Sequence, residues 1–295
     1  MRPRLQWQSK LVLVAVLPVA GADIVLQSHW YATEVLPVAL WTIGLSALLG
    51  LVTWKLRAAT PWASLAGTAI TASLMFSTSM PPYQPWRTAI VPVLAVALLA
   101  HLATRLGRTR KERLGTAESK RGRTAAQVSA NLGVAMLTAA PFAQSFFIDT
   151  GWFSRVTIVP MPLFAVPLAA LAEAAADTVS SEIGQVFGGR PRLITTLRAV
   201  QPGRDGAISM AGTLAGVLAG CMVAALGAWA VQGDLVVFMV AAAGGAFGLL
   251  FDSLLGATIE ERGWMNNDAV NFLSTISAAA FALAVLALLP HPGVG

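Results

Sequence analysis

Residues 172–184 read Ala172-Glu173-Ala174-Ala175-Ala176-Asp177-Thr178-Val179-Ser180-Ser181-Glu182-Ile183-Gly184, the polar end of a long apolar run. Three carboxylates, Glu173, Asp177 and Glu182, close this run in a chain with only 14 acidic residues. A charge inside a bilayer costs at least ~2.5–3.5 kcal/mol on insertion scales, so an intramembrane carboxylate marks a functional site by default. On a helix, Glu173, Asp177, Ser180, Ser181 and Gly184 share one face. Glu182 joins them only if the helix ends or unwinds near Ser181.

The rest of the chain supports a membrane setting. Of its 295 residues 56% are hydrophobic and 12% are charged, where soluble domains carry roughly 25% charge. Period-two alternation is absent, which excludes a transmembrane barrel. Apolar segments cover residues 11–26, 35–54, 62–76, 89–103, 125–142, 157–184, 207–231, 235–255 and 269–290. Membrane helices need about 20 residues, so the expected fold is an all-α, polytopic integral membrane protein of about nine transmembrane helices. Arg2, Arg4 and Lys10 ahead of Leu11–Val19 and Ala20-Gly21-Ala22 also resemble a secretory signal peptide. A first membrane helix is the preferred reading, because further apolar segments follow at once. The expected location is a multi-pass membrane protein, in the plasma membrane if the source is bacterial.

Charge fixes the expected orientation. With a cytoplasmic N-terminus and alternate threading, 18 of the 20 basic residues fall inside and only Arg87 and Arg155 fall outside. Tyr83, Trp86, Trp152 and Phe153 then lie at the outer interface. The net charge of +6 reads as a topology signal facing anionic lipid, not as a nucleic-acid surface. The basic run Arg105–Arg123 is expected against lipid headgroups, and Glu260 and Glu261 in solvent. Cys221 is alone, so an internal disulfide and a metal-cysteine cluster are excluded, and His29, His101 and His291 are scattered and match no metal-ligand spacing.

In this topology polar residues from several segments meet at one depth on the cytoplasmic side. They are Asp177, Ser181 and Glu182; Asp252 and Ser253; Asn266, Asn267, Asp268 and Asn271; and Gln127 and Asn131. The loop beside them carries Arg190, Arg192, Arg198 and Arg204, hydroxyls at Thr195, Thr196 and Ser209, and glycines at Gly203 and Gly206, and it opens a helix. Backbone N–H groups and the helix dipole favour an anion at such a place, and arginine adds forked donors. The plainer alternative is a basic loop that only sets orientation. Gly245, Gly248, Asp252 and Gly256 share a face that suits close helix packing. Asn266 and Asn267 are expected helix caps. Oxygen ligands from Glu173, Asp177, Glu182 and Asp252, without a histidine or cysteine cluster, suit Mg²⁺, which takes one or two carboxylates plus substrate phosphates. A divalent metal, basic groups and helix N-termini are the equipment of phosphoryl transfer.

Several of these stretches resemble one family. They are Ala176-Asp177-Thr178 with Ser181-Glu182-Ile183-Gly184; Pro191-Arg192-Leu193-Ile194-Thr195-Thr196; Val200-Gln201-Pro202-Gly203; Gly206-Ala207-Ile208-Ser209; Arg110-Lys111-Glu112-Arg113-Leu114-Gly115; Gln127-Val128-Ser129-Ala130-Asn131; and Asp252-Ser253-Leu254-Leu255-Gly256-Ala257-Thr258 with Asn271-Phe272-Leu273. Together they resemble the transmembrane protein 19 family (domain of unknown function 92), which includes plant phytyl-phosphate kinases. The resemblance covers about residues 60–290. It divides the chain into 1–58, outside the resemblance, and 59–295, a family-like membrane domain with cytoplasmic loops 104–124, 185–206 and 256–268. Arg204-Asp205 stands where the family often has Ser/Thr-Gly.

The resemblance implies a lipid kinase that phosphorylates an isoprenoid phosphate of phytyl or polyprenyl type from CTP or ATP with Mg²⁺. Asp177, Glu182 and Asp252 would be catalytic, with Asp177 and Asp252 holding the metal or nucleotide phosphates and Glu182 assisting. Arg192, Thr195, Thr196, Arg198, Gly203, Arg204, Gly206, Ser209, Asn131 and Asn271 would bind nucleotide or phosphate. The expected partners are the bilayer, the isoprenoid phosphate and a nucleoside triphosphate, with no nucleic acid. The alternatives are a proton- or cation-coupled transporter of small molecules and a noncatalytic membrane protein. A transporter needs polar groups near the midplane and access from both sides.

Overall fold

A computed structural model describes residues 6–149 and 161–289. Arg2, Arg4, Trp152, Phe153, Arg155, His291, the start of the sixth apolar segment and the end of the ninth lie outside the described residues. The helices are α1 (Gln6–Glu34), α2 (Leu36–Lys55), α3 (Pro61–Ser77), α4 (Ile90–Arg105), α5 (Arg108–Leu114), α6 (Ala125–Ala139), α7 (Pro141–Asp149), α8 (Ala165–Phe187), α9 (Met210–Ala230), α10 (Leu235–Leu255) and α11 (Asn267–Leu288). A π-helical turn, Gly256–Glu260, extends α10. Two short strands, β1 (Arg192–Leu193) and β2 (Ala207–Ile208), pair antiparallel in the loop between α8 and α9.

The protein is an all-helical integral membrane protein. Among the described residues six helices are long and apolar enough to cross a membrane, or up to eight if each of two bent pairs is one span. Those pairs are α4–α5, bent by 69°, and α6–α7, bent by 55°. The second bend breaks the expected 125–142 segment, because Pro141 has no N–H to continue α6. The expected third span is α3, which has 17 residues and is therefore about 25 Å long.

Buried helix ends need partners for their free N–H groups, and the sequence supplies them. Thr60 accepts from the Ala63 N–H, Asp234 from Val237 and Asn266 from Ala269 at 2.9 Å. Thr124 and Gln127 form a reciprocal capping box at the start of α6.

Burial makes α8 the central helix. Its span is 89% buried, against 22–44% for the other five long helices. It is lined with alanine, and α9 and α10 bring glycine against it. A Cβ on Gly216 would lie 2.6 Å from the Ala176 carbonyl oxygen, and one on Gly245 2.7 Å from the Ala172 Cβ. Only hydrogen side chains allow this approach, which substitutes van der Waals contact for a hydrophobic drive that lipid does not supply. The face carrying Gly245 and Gly248 thereby delivers Asp252 toward α8.

α1 packs against α3 and α6, and Val16 is fully buried. Its first turn is tied to the start of α11: Gln8 Nε2 donates to the Trp264 carbonyl at 2.9 Å, and Ser9 Oγ donates to Asp268 Oδ2 at 2.5 Å. Farther along, the buried Asp23 accepts from Gln27 Nε2 at 2.8 Å and from the hydroxyl of Ser73 on α3.

Candidate functional site

The C-terminal halves of α8 and α10 and the N-terminal turns of α6, α9 and α11 meet at one end of the bundle. They enclose a cavity of about 280 Å³. Asp177 enters it from α8 and Asp252 from α10, and the two carboxyl groups lie within hydrogen-bonding reach of each other. Glu173, one turn deeper, is 1% exposed. Ser274 of α11 lies near both Glu173 and Asp252, and its hydroxyl donates to the Asn271 carbonyl at 3.0 Å. Glu173 Oε1 and Asp252 Oδ1 are buried with no hydrogen-bond partner. Carboxylates this close inside an apolar bundle need a cation, or a proton held between them.

Among the described residues no group of three or more His, Cys, Asp or Glu side chains could itself hold a metal ion. A facing carboxylate pair with an unpartnered oxygen nevertheless fits Mg²⁺, which takes one or two carboxylates and leaves its other positions to phosphate and water.

Glu182 stands apart from this pair. α8 stays helical through Phe187, so the break near Ser181 that would swing Glu182 onto the Asp177 face does not occur. Its carboxylate meets Lys111 Nζ at 2.5 Å and accepts from Thr104 Oγ1 at 2.9 Å. Lys111 is fully buried and also donates to the Ala103 carbonyl at 2.7 Å. Glu182 reaches the cavity wall, but its charge is committed to α5.

The loop residues divide. Gly203, Arg204, Gly206 and Ser209 line the cavity, whereas Arg192, Thr195, Thr196 and Arg198 do not. The β1–β2 ribbon turns that second group toward solvent. All four are exposed, the Arg192 guanidinium donates to the Leu197 carbonyl at 2.7 Å, and the Leu193 N–H donates to the Arg198 carbonyl at 3.0 Å. Gly206 has φ of 71°, and a Cβ there would come 2.6 Å from the Ala257 Cα, so glycine lets the loop rest on the π-helical turn. Ser209 caps α9, accepting from the Gly212 N–H at 3.1 Å.

Asn131 and Asn271 do meet. The Asn271 amide donates to Asn131 Oδ1 at 3.1 Å and accepts from Asn267 at 3.0 Å, bridging α6 to α11.

The structure adds residues that the sequence reading left elsewhere. Arg123, expected at the lipid surface, lines the cavity, faces Asp177 and donates to Thr178 Oγ1 at 3.4 Å. Its position just before the α6 capping box was the available signal. Glu260, expected in solvent, lines the cavity through the π-helical turn. Glu261 pairs with Arg204. Partial burial, and then the charge of Glu261, push the Asp205 carboxyl above its ordinary value. The ionisable lining is thus Glu118, Asp177, Glu182, Asp205, Asp252 and Glu260 against Arg123 and Arg204. The cavity is acidic where the sequence suggested a basic cradle, and an anion enters it only together with cations.

Residues 44–279 match the family model described as integral membrane protein DUF92. An uncharacterized membrane protein of Methanocaldococcus jannaschii is 44% identical over 109 residues, covering 37% of this chain and 45% of that one. An uncharacterized membrane protein of Synechocystis is 33% identical over 204 residues, covering 68% and 74%. Protein VTE6, chloroplastic, of Arabidopsis thaliana is 31% identical over 195 residues, covering 62% and 54%. The chain therefore spans about half the length of the first and third of these relatives. No solved structure matches it significantly.

Proposed function

Because the chain belongs to the DUF92 family of integral membrane proteins, we propose that it is a membrane-embedded lipid kinase. It transfers the terminal phosphoryl group of a nucleoside triphosphate, CTP or ATP, to an isoprenoid monophosphate. The observation that carries this reading is the acidic cavity in which Asp177 and Asp252 face each other beside Arg123 and the Gly203–Ser209 loop. Mg²⁺, held by Asp177 and Asp252, would neutralise the phosphates and polarise the transferred group.

The chain's own residues do the positioning. A phosphate oxygen of the lipid attacks the terminal phosphorus, the bridging P–O bond breaks, and the nucleoside diphosphate leaves with the electron pair. Arg123 stabilises charge on the acceptor phosphate. Arg204 and the N–H groups of the Gly203–Gly206 turn orient the donor, and the Asn131–Asn271 bridge holds α6 and α11 at the distance the two substrates need. A transporter would require a polar path through α8, but Ala165–Ala172 is uniformly apolar and buried.

The test is incubation of the purified full chain with geranylgeranyl phosphate, labelled CTP or ATP, and Mg²⁺, reading label in the lipid diphosphate. Asp177→Asn and Asp252→Asn should each lower transfer by about 10²-fold or more, and chelation should abolish it. Absence of transfer from either nucleotide refutes the assignment.

A further inference from the structure

A second, larger cavity of about 390 Å³ opens beside the acidic one. Its size is within the ~300–1,000 Å³ usual for small-molecule sites. Its walls are apolar and small: Gly50, Ala63 and Gly67 from α2 and α3, Val96 and Ala97 from α4, and Leu132 from α6. Helices α3 and α4 follow each other in the chain yet scarcely pack together, and the cavity takes lining from both. Its other end is ringed by Arg57, Arg105, Arg108, Lys120 and Arg123. Among the described residues Arg57, Arg105, Lys120 and Arg123 have no ion-pair partner. Glu118, Arg123 and Asn131 line both cavities, so the two spaces meet at one arginine.

We propose that this cavity holds the hydrocarbon chain of a single-chain lipid monophosphate, with the phosphate at the basic ring and Arg123 passing it to the acidic cavity. The inference rests on the lipid-phosphate reading of the acidic site and adds where the acceptor lies. An apolar slot with a cationic mouth complements a molecule with one apolar tail and one anionic head. The acidic cavity cannot hold that tail, because its lining is polar. The division of labour follows: acceptor between α3, α4 and α6, donor between α8, α9 and α10.

Gly67 offers a direct probe. A Cβ at this position would meet only Val128 Cγ1, at 3.6 Å, and Gly67 lines the cavity, so Gly67→Leu adds bulk at its wall. Gly44 on α2 has nothing within 4 Å of its Cβ, and Gly44→Leu is the control. The full chain in nanodiscs is photolabelled with geranylgeranyl phosphate bearing a diazirine at the tail end, and the adducts are mapped by peptide mass spectrometry.

Adducts on 61–77 and 90–105, competed by unlabelled geranylgeranyl phosphate but not by inorganic phosphate, are expected. Gly67→Leu should weaken that competition about tenfold or more, and Gly44→Leu should not change it. Ala97→Leu gives the same test from α4 if Gly67→Leu does not purify. Oleoyl lysophosphatidic acid competing equally would identify the ligand as any single-chain lipid phosphate, and weaker competition would select the isoprenoid; both support the cavity assignment. Adducts confined to the outer faces of α9 and α10, or unchanged affinity in both cavity variants, overturn it. Cavity adducts without phosphoryl transfer would leave this inference standing and remove the kinase. Transfer unaffected by either cavity variant would do the reverse.

Discussion

Replacing Lys111 with methionine isolates the part of the site that Glu182 serves. The Lys111 side chain is 1% exposed and its partner Glu182 is 12% exposed, with nitrogen and oxygen 2.5 Å apart. The ammonium also donates to the Ala103 and Thr104 carbonyls at 2.7 and 3.2 Å, which fixes α5 against the end of α4. Methionine keeps the stem and removes the charge. Glu182 then keeps the Thr104 hydroxyl as a hydrogen-bond donor but has lost its buried countercharge. Breaking one side of a buried pair costs about 3–5 kcal/mol. At about 2 °C or more per kcal/mol for a chain of this size, Tm falls by at least about 6 °C.

Glu182→Leu should cost a similar amount, since it strands the lysine instead. The double variant Lys111→Met/Glu182→Leu should recover most of the loss, because apolar replacement of a complete buried pair is often neutral. The assay is thermal unfolding of the four purified proteins in one detergent, read as a double-mutant cycle. Single variants within about 1 °C of the parent, or a double variant that loses the sum of both, would refute a structural ion pair and return Glu182 to the chemistry of the cavity.

Three further outcomes follow from particular contacts. Gly248→Leu should destabilise by about 1–3 kcal/mol or more, because even a Cβ would lie 2.5 Å from Glu173 Cγ and 2.8 Å from the Ala278 Cβ; thermal unfolding reads it, and an unchanged Tm contradicts the packing. Ser9→Ala removes the bond to Asp268 and should cost about 1–3 kcal/mol, with faster proteolysis or hydrogen exchange at the start of α1 and no change if the tether is absent. Asp205 has its carboxyl raised by burial and then by Glu261, so the fold favours its protonated form. The stability linked to that proton is present below the unfolded value and lost as pH rises through the folded one. Asp205→Asn should therefore raise Tm at neutral pH and flatten its fall between acid and neutral pH, and identical Tm–pH curves for variant and parent would contradict the shift.

Much of the fold was legible because membrane helices announce themselves one at a time. Each must be apolar along its own length and satisfy its own backbone, so Leu235–Leu255 or Asn267–Leu288 can be found without knowing their neighbours. Caps are equally local: Thr124 with Gln127, and Asn266, act within three residues of themselves. Glycine spacing even indicated which face of α10 would be buried, and so that Asp252 would turn inward.

Other features were not local, and the one-dimensional pattern could not contain them. Whether Glu182 serves Asp177 or Lys111 depends on α5, a seven-residue helix whose basic composition does not say which carboxylate it meets. Whether Arg123 or Arg198 reaches the cavity depends on a ribbon of two residue pairs that turns one group of arginines outward while α6 carries the other in. The sign of the cavity's charge is a sum over several helices and two loops, and no single segment reveals it. Sequence by itself determined an all-helical membrane protein with Asp177 and Asp252 as inward carboxylates, since hydropathy and helical spacing act along one chain segment. Only the tertiary structure decided which charges neutralise each other and which remain facing a cavity, because that pairing is set by distances of a few ångströms between segments far apart in sequence.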